Sequence, residues 1–314
     1  MAARPRKRHP QRPQTRTVTH ACAPAAACTV GWVIVELGAG NTRDISHRAL
    51  VMGILNRTPD SFYDNGRFWS FDDFLNLAER HMHQGADILD VGGVRAGPGP
   101  EVTLAEELER TCEAVDALRR RFDVPVAIDT FRGEVARAAF VVGACIGNDI
   151  SGFADPTYLP ACAEHAAAVV ATHVRLGPRI PDPAPSYRDL VGEVGTFLGV
   201  RAARAEAAGI PPNRIIVDAG LDLGKTPAMS AALLRESDQL LGLGYPVLLS
   251  ASNKGFLGEL VDAAVDDRVQ ATWAAHALGV GLGCRILRSH DVLGARRVAD
   301  VMASLLEARA GVAA

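Results

Sequence analysis

The chain has few aromatic residues, 5% of 314, so a core made of stacked rings is excluded and Ala, Val, Leu and Ile must supply the packing. No stretch approaches the roughly 20 unbroken apolar residues of a membrane span. The six cysteines form no C-x-x-C pair and no cysteine–histidine group with zinc-finger spacing. Most lie in apolar segments, where a free thiol behaves as a small hydrophobe. Buried, reduced cysteines in a cytoplasmic protein are the expectation. A large excess of either charge is also lacking. A net charge of −3 and a pI near 6.3 argue against a surface that coats nucleic acid. Hydrophobic residues at 48% and charged residues at 22% are ordinary for a folded chain, which excludes a mainly disordered or collagenous one.

Basic charge is nevertheless concentrated at the start. Residues 1–16 hold Arg4, Arg6, Lys7, Arg8, Arg12 and Arg16 with no acid, and Pro5, Pro10 and Pro13 break any helix there. A disordered basic tail over 1–30 is expected. Pro24 interrupts the weakly apolar stretch Ala21 to Cys28, which argues against a secretory signal. Residues 31–48 read as a hairpin, with a strand at Trp32 to Leu37 and a turn at Gly38 to Asn41.

From residue 49 onward, short apolar runs alternate with longer helical patterns. Strands are expected at Ala49–Leu55, Ile88–Val91, Val126–Asp129, Ile146–Asp149, Ala168–Thr172, Ile215–Asp218, Val247–Ser250 and Arg285–Arg288. The intervening helices include Phe71–Gln84, Leu104–Arg121 with Thr103 as N-cap, Met229–Leu241, helical sequence from Phe256 to Leu278, and Leu293–Arg309. Eight strand–helix units imply a parallel sheet closed into a single (β/α)₈ TIM barrel over 49–314.

In such barrels the chemistry sits at the C-terminal ends of the strands. Those ends read Asn56, Asp90, Asp129, Asn148-Asp149, His173, Asp218, Lys254 and Arg288-x-His290. Any one could cap a helix, but eight together describe a polar pocket. Asp129, Asn148 and Asp218 suit the amidine edge of a flat heterocycle, and Lys254 its ring carbonyl or nitrogen. Arg288 and His290 suit an anion such as phosphate. Asn56 suits a Mg²⁺ that shares its coordination with phosphate and water. Two other patterns carry less. Gly220 to Thr226 (GLDLGKT) has three residues between its glycines where a P-loop needs four. Gly279, Gly281 and Gly283 follow a helix and precede a strand, the reverse of a dinucleotide fingerprint.

The same blocks resemble those of dihydropteroate synthases, in that family's order over most of 50–305. They are Met52 to Phe62 (MGILNRTPDSF), Asp90 to Gly93 (DVGG), Ile128 to Thr130, Asn148 to Gly152, Asp218 with Gly224 to Thr226, Ser252 to Lys254, and Arg288 to Asp291. The resemblance implies a (β/α)₈ barrel of the folate pathway. Its reaction joins 6-hydroxymethyl-dihydropterin diphosphate to p-aminobenzoate and releases pyrophosphate. It implies pterin contacts at Asp129, Asn148, Asp218 and Lys254, a Mg²⁺-associated Asn56, and a pyrophosphate site at Arg288 and His290. Phe62 and Pro98 match positions that enclose p-aminobenzoate, and a homodimer is the expected assembly. The chain departs from the family where catalysis is completed. Val94 to Gly99 (VRAGPG) replaces Glu-Ser-Thr/Ser-Arg-Pro-Gly, Arg57 replaces a small apolar residue, and Tyr63 replaces a serine. Leu221-Asp222-Leu223 replaces Phe-Gly-Phe, Asn253 an arginine and Gly255 a serine. That pattern is similar to the divergent second dihydropteroate synthase paralogue of actinobacteria, whose members are thought not to perform the reaction. Three readings follow: a pterin-binding protein without ordinary synthase activity, an active synthase in which Arg95 and Arg57 replace the lost cation, or a transferase with another second substrate. A pterin-using methyltransferase fits less well, because methyl-folate has no diphosphate for Arg288 and His290 to hold.

Overall fold

The computed structural model describes residues 34–58 and 70–312. The expected tail over 1–30, the first residues of the hairpin and Phe62 lie outside the described residues. Two short strands, β1 (Ile34–Glu36) and β2 (Thr42–Asp44), pair antiparallel. Eight parallel strands follow: β3 (Leu50–Asn56), β4 (Ile88–Gly92), β5 (Val126–Asp129), β6 (Ile146–Asp149), β7 (Ala168–Thr172), β8 (Ile215–Asp218), β9 (Val247–Leu249) and β10 (Ile286–Ser289). They pair in chain order, and β10 returns to β3, closing the barrel. The surrounding helices are α1 (Phe71–His83), α2 (Leu104–Arg121), α3 (Gly133–Val141), α4 (Tyr158–Glu164), α5 (Leu190–Ala207), α6 (Pro227–Arg235), α7 (Gly255–Val261), α8 (Val269–Gly281) and α9 (Val292–Val312).

Most helix starts follow local chemistry. Thr103 caps α2 with a full capping box: its hydroxyl accepts from the Glu106 amide, and the Glu106 carboxylate accepts from the Thr103 amide. Two helical stretches are shorter than the apolar spacing predicts. Residues 256–278 are broken at Asp262, whose φ of 51° is left-handed, and a 3₁₀ turn intervenes before α8. The Arg268 side chain holds that break by donating to the carbonyls of Ala263 and Asn253. Helix α6 ends at Arg235, and a 3₁₀ turn over Ser237–Leu243 follows.

Side chains alternate across each barrel strand. Val51, Leu89, Val126, Ile128, Val169, Ile215, Val217, Leu249 and Leu287 face outward into the core shared with the helices. Leu50, Met52, Ile88, Ala127, Ile146, Val170, Ile216, Leu248 and Ile286 form a second cluster that fills the barrel. Val35, Leu37 and Ile45, all fully buried, join this inner cluster, so the hairpin closes the barrel at the N-terminal ends of the strands. Its turn is held by a hydrogen bond from the Asn41 amide to the Gly38 carbonyl, 2.9 Å. A side chain at Gly38 would strike the Cys145 carbonyl oxygen at 2.2 Å, and φ there is 80°, so only glycine fits. Glu36 and Arg214 add an ion pair.

Candidate functional site

Two residues beyond the apolar inner layer, the same inward face turns polar. Ile88 is followed on that face by Asp90, Ala127 by Asp129, Ile146 by Asn148, Ile216 by Asp218 and Ile286 by Arg288. The period-2 geometry that packs the barrel therefore gathers these five side chains at its C-terminal mouth.

Four of them, Asp90, Asp129, Asn148 and Arg288, form one network. Arg288 Nε donates to Asp90 at 2.6 Å, and Arg288 Nη2 donates to Asp129 at 2.7 Å. Asn148 Nδ2 donates to Asp90 at 3.2 Å. Asp218 Oδ1 accepts the Gly220 amide at 2.8 Å, which sets the turn after β8. Lys254 Nζ donates to the Leu221 carbonyl. Burial dominates the electrostatics. It raises the Asp129 carboxyl to about 7 despite Arg288, with Asp90 adding repulsion. It raises Asp218 against the pull of Lys254, and lowers Lys254 against the pull of Asp218. For Arg288, burial opposes the charge, but Asp90 and Asp129 together raise its pKa above the usual value.

The other expected site residues are placed as follows. His290 lies beside Ser252, whose Oγ is 3.0 Å from Nδ1 and accepts the His290 amide at 3.1 Å. Burial, then Arg288, pushes this imidazole down to about 3, so it is a neutral hydrogen-bonding group rather than the cation expected for an anion site. The Arg288 guanidinium likewise lies on the pocket floor between two carboxylates. Asn56 ends β3. A side chain at Gly92 would lie 3.5 Å from Asn56 Oδ1 and 3.8 Å from Asp129 Oδ2, so glycine leaves a space flanked by two hard oxygen donors. Among the described residues, no group of three or more His, Cys, Asp or Glu could hold a metal.

Asp149 and His173, also at strand ends, serve the scaffold. The Asp149 carboxylate accepts the amides of Ser151 and Phe153 at 2.6 and 2.8 Å. His173 Nδ1 is 2.9 Å from Lys225 Nζ, which also donates to the carbonyls of Gly220 and Leu223 at 2.8 and 3.0 Å. The lysine that imitates a P-loop is thus a pin for its own loop.

A cleft of about 170 Å³ opens on the same end of the barrel. It lies between the loops after β4 (Ala96 to Pro98), β7 (Gly177 to Asp182) and β8 (Asp222 to Lys225). Pro98 is one of its lining residues. The Arg95 guanidinium folds over Gly97, with Nη2 3.7 Å from where a Cβ at 97 would stand. Arg57 goes elsewhere: it is buried with its guanidinium 5.2 and 5.6 Å from the ring centres of Phe71 and Phe74 at the start of α1. Burial lowers the Arg57 pKa, with Glu113 of α2 raising it and Arg110 of α2 lowering it further. Asp222, left-handed at φ 63°, accepts from Ser230 Oγ at 3.0 Å and from the Phe256 amide at 3.2 Å. A side chain at Gly255 would approach Asp222 Oδ2 to 3.3 Å.

Two residues that matter here escape sequence reasoning or are undervalued by it. Asp90, fully buried, is the hub of the floor; its position two residues beyond Ile88 is the signal that finds it. Arg179 lines the cleft from a proline-rich loop with no periodic pattern, and nothing in the sequence marks it.

The sequence matches the family model described as pterin binding enzyme over residues 52–290. It is 39% identical over 265 residues to a dihydropteroate synthase of Synechocystis, covering 83% of this chain and 92% of that one. It is 40% identical over 266 residues to a Mycobacterium leprae protein named inactive dihydropteroate synthase 2, covering 82% and 91%. Its fold is similar to that of Yersinia pestis dihydropteroate synthase in a sulfonamide drug complex, with a TM-score of 0.84 and 33% identity, covering 88% of this chain and all of that one. A floor of carboxylates, amide and cations at the mouth of a barrel, found in a chain with these relatives, places the protein in the pterin binding enzyme family.

Proposed function

We propose that the protein binds 6-hydroxymethyl-dihydropterin diphosphate at this mouth, and that its condensation with p-aminobenzoate is much slower than in an ordinary synthase. The observation that carries the reading is the single network joining Asp90, Asp129, Asn148 and Arg288, with Asp218 and Lys254 beside it, next to a cleft walled by Ala96 and Gly97. Asp218 would pair with the amidine edge of the pterin, a charge-assisted interaction. Asn148, Asp129 and Lys254 would bond the remaining ring heteroatoms. Arg288 would turn part of its charge toward the diphosphate, with neutral His290 as a hydrogen-bonding partner.

Asn56 Oδ1 and the space over Gly92 fit a Mg²⁺ held by few protein oxygens. Bound there, the ion would draw charge from the departing diphosphate. In the family reaction the methylene carbon–oxygen bond breaks and its electron pair leaves with pyrophosphate. The amine nitrogen then bonds to that carbon and gives up a proton. Cations near the departing oxygens lower the barrier, one such group being worth roughly 3–4 kcal/mol. Gly97 and Ala96 supply neither charge nor hydroxyl, whereas Arg95 stands over Gly97 and is the cation nearest the vacated position. Phe62 and Pro98 would enclose the second reactant. Two further parts of the reading are a homodimer, supported by exposed Leu278, Val301 and Leu305 on α8 and α9, and a cytoplasmic location. Among the described residues, no helix is long and apolar enough to cross a membrane.

The test is steady-state pyrophosphate release with saturating Mg²⁺, with and without p-aminobenzoate, alongside calorimetry with the reduced pterin. Pterin binding with turnover about 10²–10³ below an ordinary synthase is expected. Ordinary turnover that collapses on Arg95→Ala would overturn the slow-synthase reading and make Arg95 the replacement cation.

A further inference from the structure

We propose that Arg179 is a specificity-determining residue, recognising an anionic group on the second reactant in the cleft between the loops after β4, β7 and β8. The assignment rests on the pterin-transfer reading above. The loop after β4 brings neither hydroxyl nor charge at 96 and 97, and the Arg57 guanidinium packs on Phe71 and Phe74. Arg179 reaches the same cleft from a different strand end, in the loop after β7.

Three observations converge on it. Its backbone is left-handed, φ 62°, which is uncommon for a long side chain and persists only where the surroundings hold it. Its Nη2 donates to the carbonyl of Pro100, 79 residues earlier in the chain, so the side chain is carried across to the rewritten loop. That is its only hydrogen bond among the described residues, and the buried Nε has no acceptor. A guanidinium N–H left without an acceptor is unfavourable, and a planar fork of donors matches the two oxygens of a carboxylate.

The other charged side chains lining the cleft are already engaged. Asp182 pairs with Arg175, Lys225 is shared between His173 and backbone carbonyls, and Asp222 is held by Ser230 and the Phe256 amide. The walls are apolar at Pro98, Ile180, Pro181 and Leu223, and about 170 Å³ suits one small ring. The class of ligand is a small flat amine with an anionic group at its far end.

Calorimetry on the full chain tests this with Mg²⁺, 6-hydroxymethyl-dihydropterin and pyrophosphate present, which together fill the first pocket and leave nothing to displace. The probes are 4-aminobenzoate and 4-aminobenzamide, which differ in charge. The parent should prefer the carboxylate by about tenfold or more. Arg179→Ala should remove that preference by weakening 4-aminobenzoate alone, and Arg179→Lys should restore part of it, the pterin titration being the same in all three. A parent indifferent to the charge, or a preference that survives Arg179→Ala, overturns the assignment. A parent that does not bind the pterin overturns the function beneath it, and the first titration shows this before either probe is added.

Discussion

Replacing Arg288 with methionine keeps much of its volume and removes the cation between Asp90 and Asp129. Breaking a buried ion pair by deleting one partner costs about 3–5 kcal/mol. The structure also fixes how that loss changes with pH. Asp129 holds its proton up to about pH 7 in the folded protein, against an ordinary value of 3.8. The folded state therefore binds more protons than the unfolded chain between these values, and stability falls as pH rises through that window. Above 7 the parent releases the proton and Arg288 stabilises the resulting anion. Without Arg288 the carboxyl keeps its proton, and the decline continues. At pH 8, one unit above that value, the variant should have lost on the order of 1 kcal/mol more than at pH 5.5. Urea unfolding of parent and variant at the two pH values measures this. An equal loss at both, or a larger loss at pH 5.5, would show that Arg288 does not govern the charge on Asp129.

Further expectations follow from the same geometry. Asp218→Ala should weaken reduced-pterin binding by about 2 kcal/mol, read by calorimetry, because the amidine edge loses a charge-assisted bond. Arg57→Leu should leave the rate of pyrophosphate release almost unchanged while lowering stability by about 1 kcal/mol, since its guanidinium lies over Phe71 and Phe74; a large rate loss would return it to the site. Gly255→Ser alone should lower the melting temperature, because the new Cβ meets Asp222 Oδ2 at 3.3 Å. Ser230 and the Phe256 amide hold that carboxylate in place, so it cannot easily retreat, and a variant as stable as the parent would refute the contact.

The fold was readable because most barrel strands are short apolar runs whose last inward residue is polar. Counting by two from Ile88, Ala127, Ile146, Ile216 and Ile286 reaches five residues of the floor, Asp90 included, though not Lys254. Loops follow no such period. Arg57 reads as a cation beside Asn56, and nothing in its spacing shows that its guanidinium packs on two phenylalanines of α1. Asp222 and Gly255 read as separate departures 33 positions apart, although one carboxylate and one missing side chain form a single contact. The break at Asp262 depends on Arg268 reaching back to Asn253, a tertiary contact that helical spacing over 256–278 cannot show.

The hairpin at the barrel's closed end has a consequence for how the chain reaches this state. Strands β1 and β2 are synthesised first among the described elements, but their docking surface does not yet exist. Gly38 fits against Cys145 and the start of β7, and Glu36 pairs with Arg214, 178 residues later. Such distant contacts form only after the intervening loop has closed, at an entropic cost that grows with its length. The first strands made must therefore wait until β8 is out, and Val35, Leu37 and Ile45 stay uncovered until then. A chain stopped short of β8 should leave this apolar edge open to other chains, whatever the state of its finished helices.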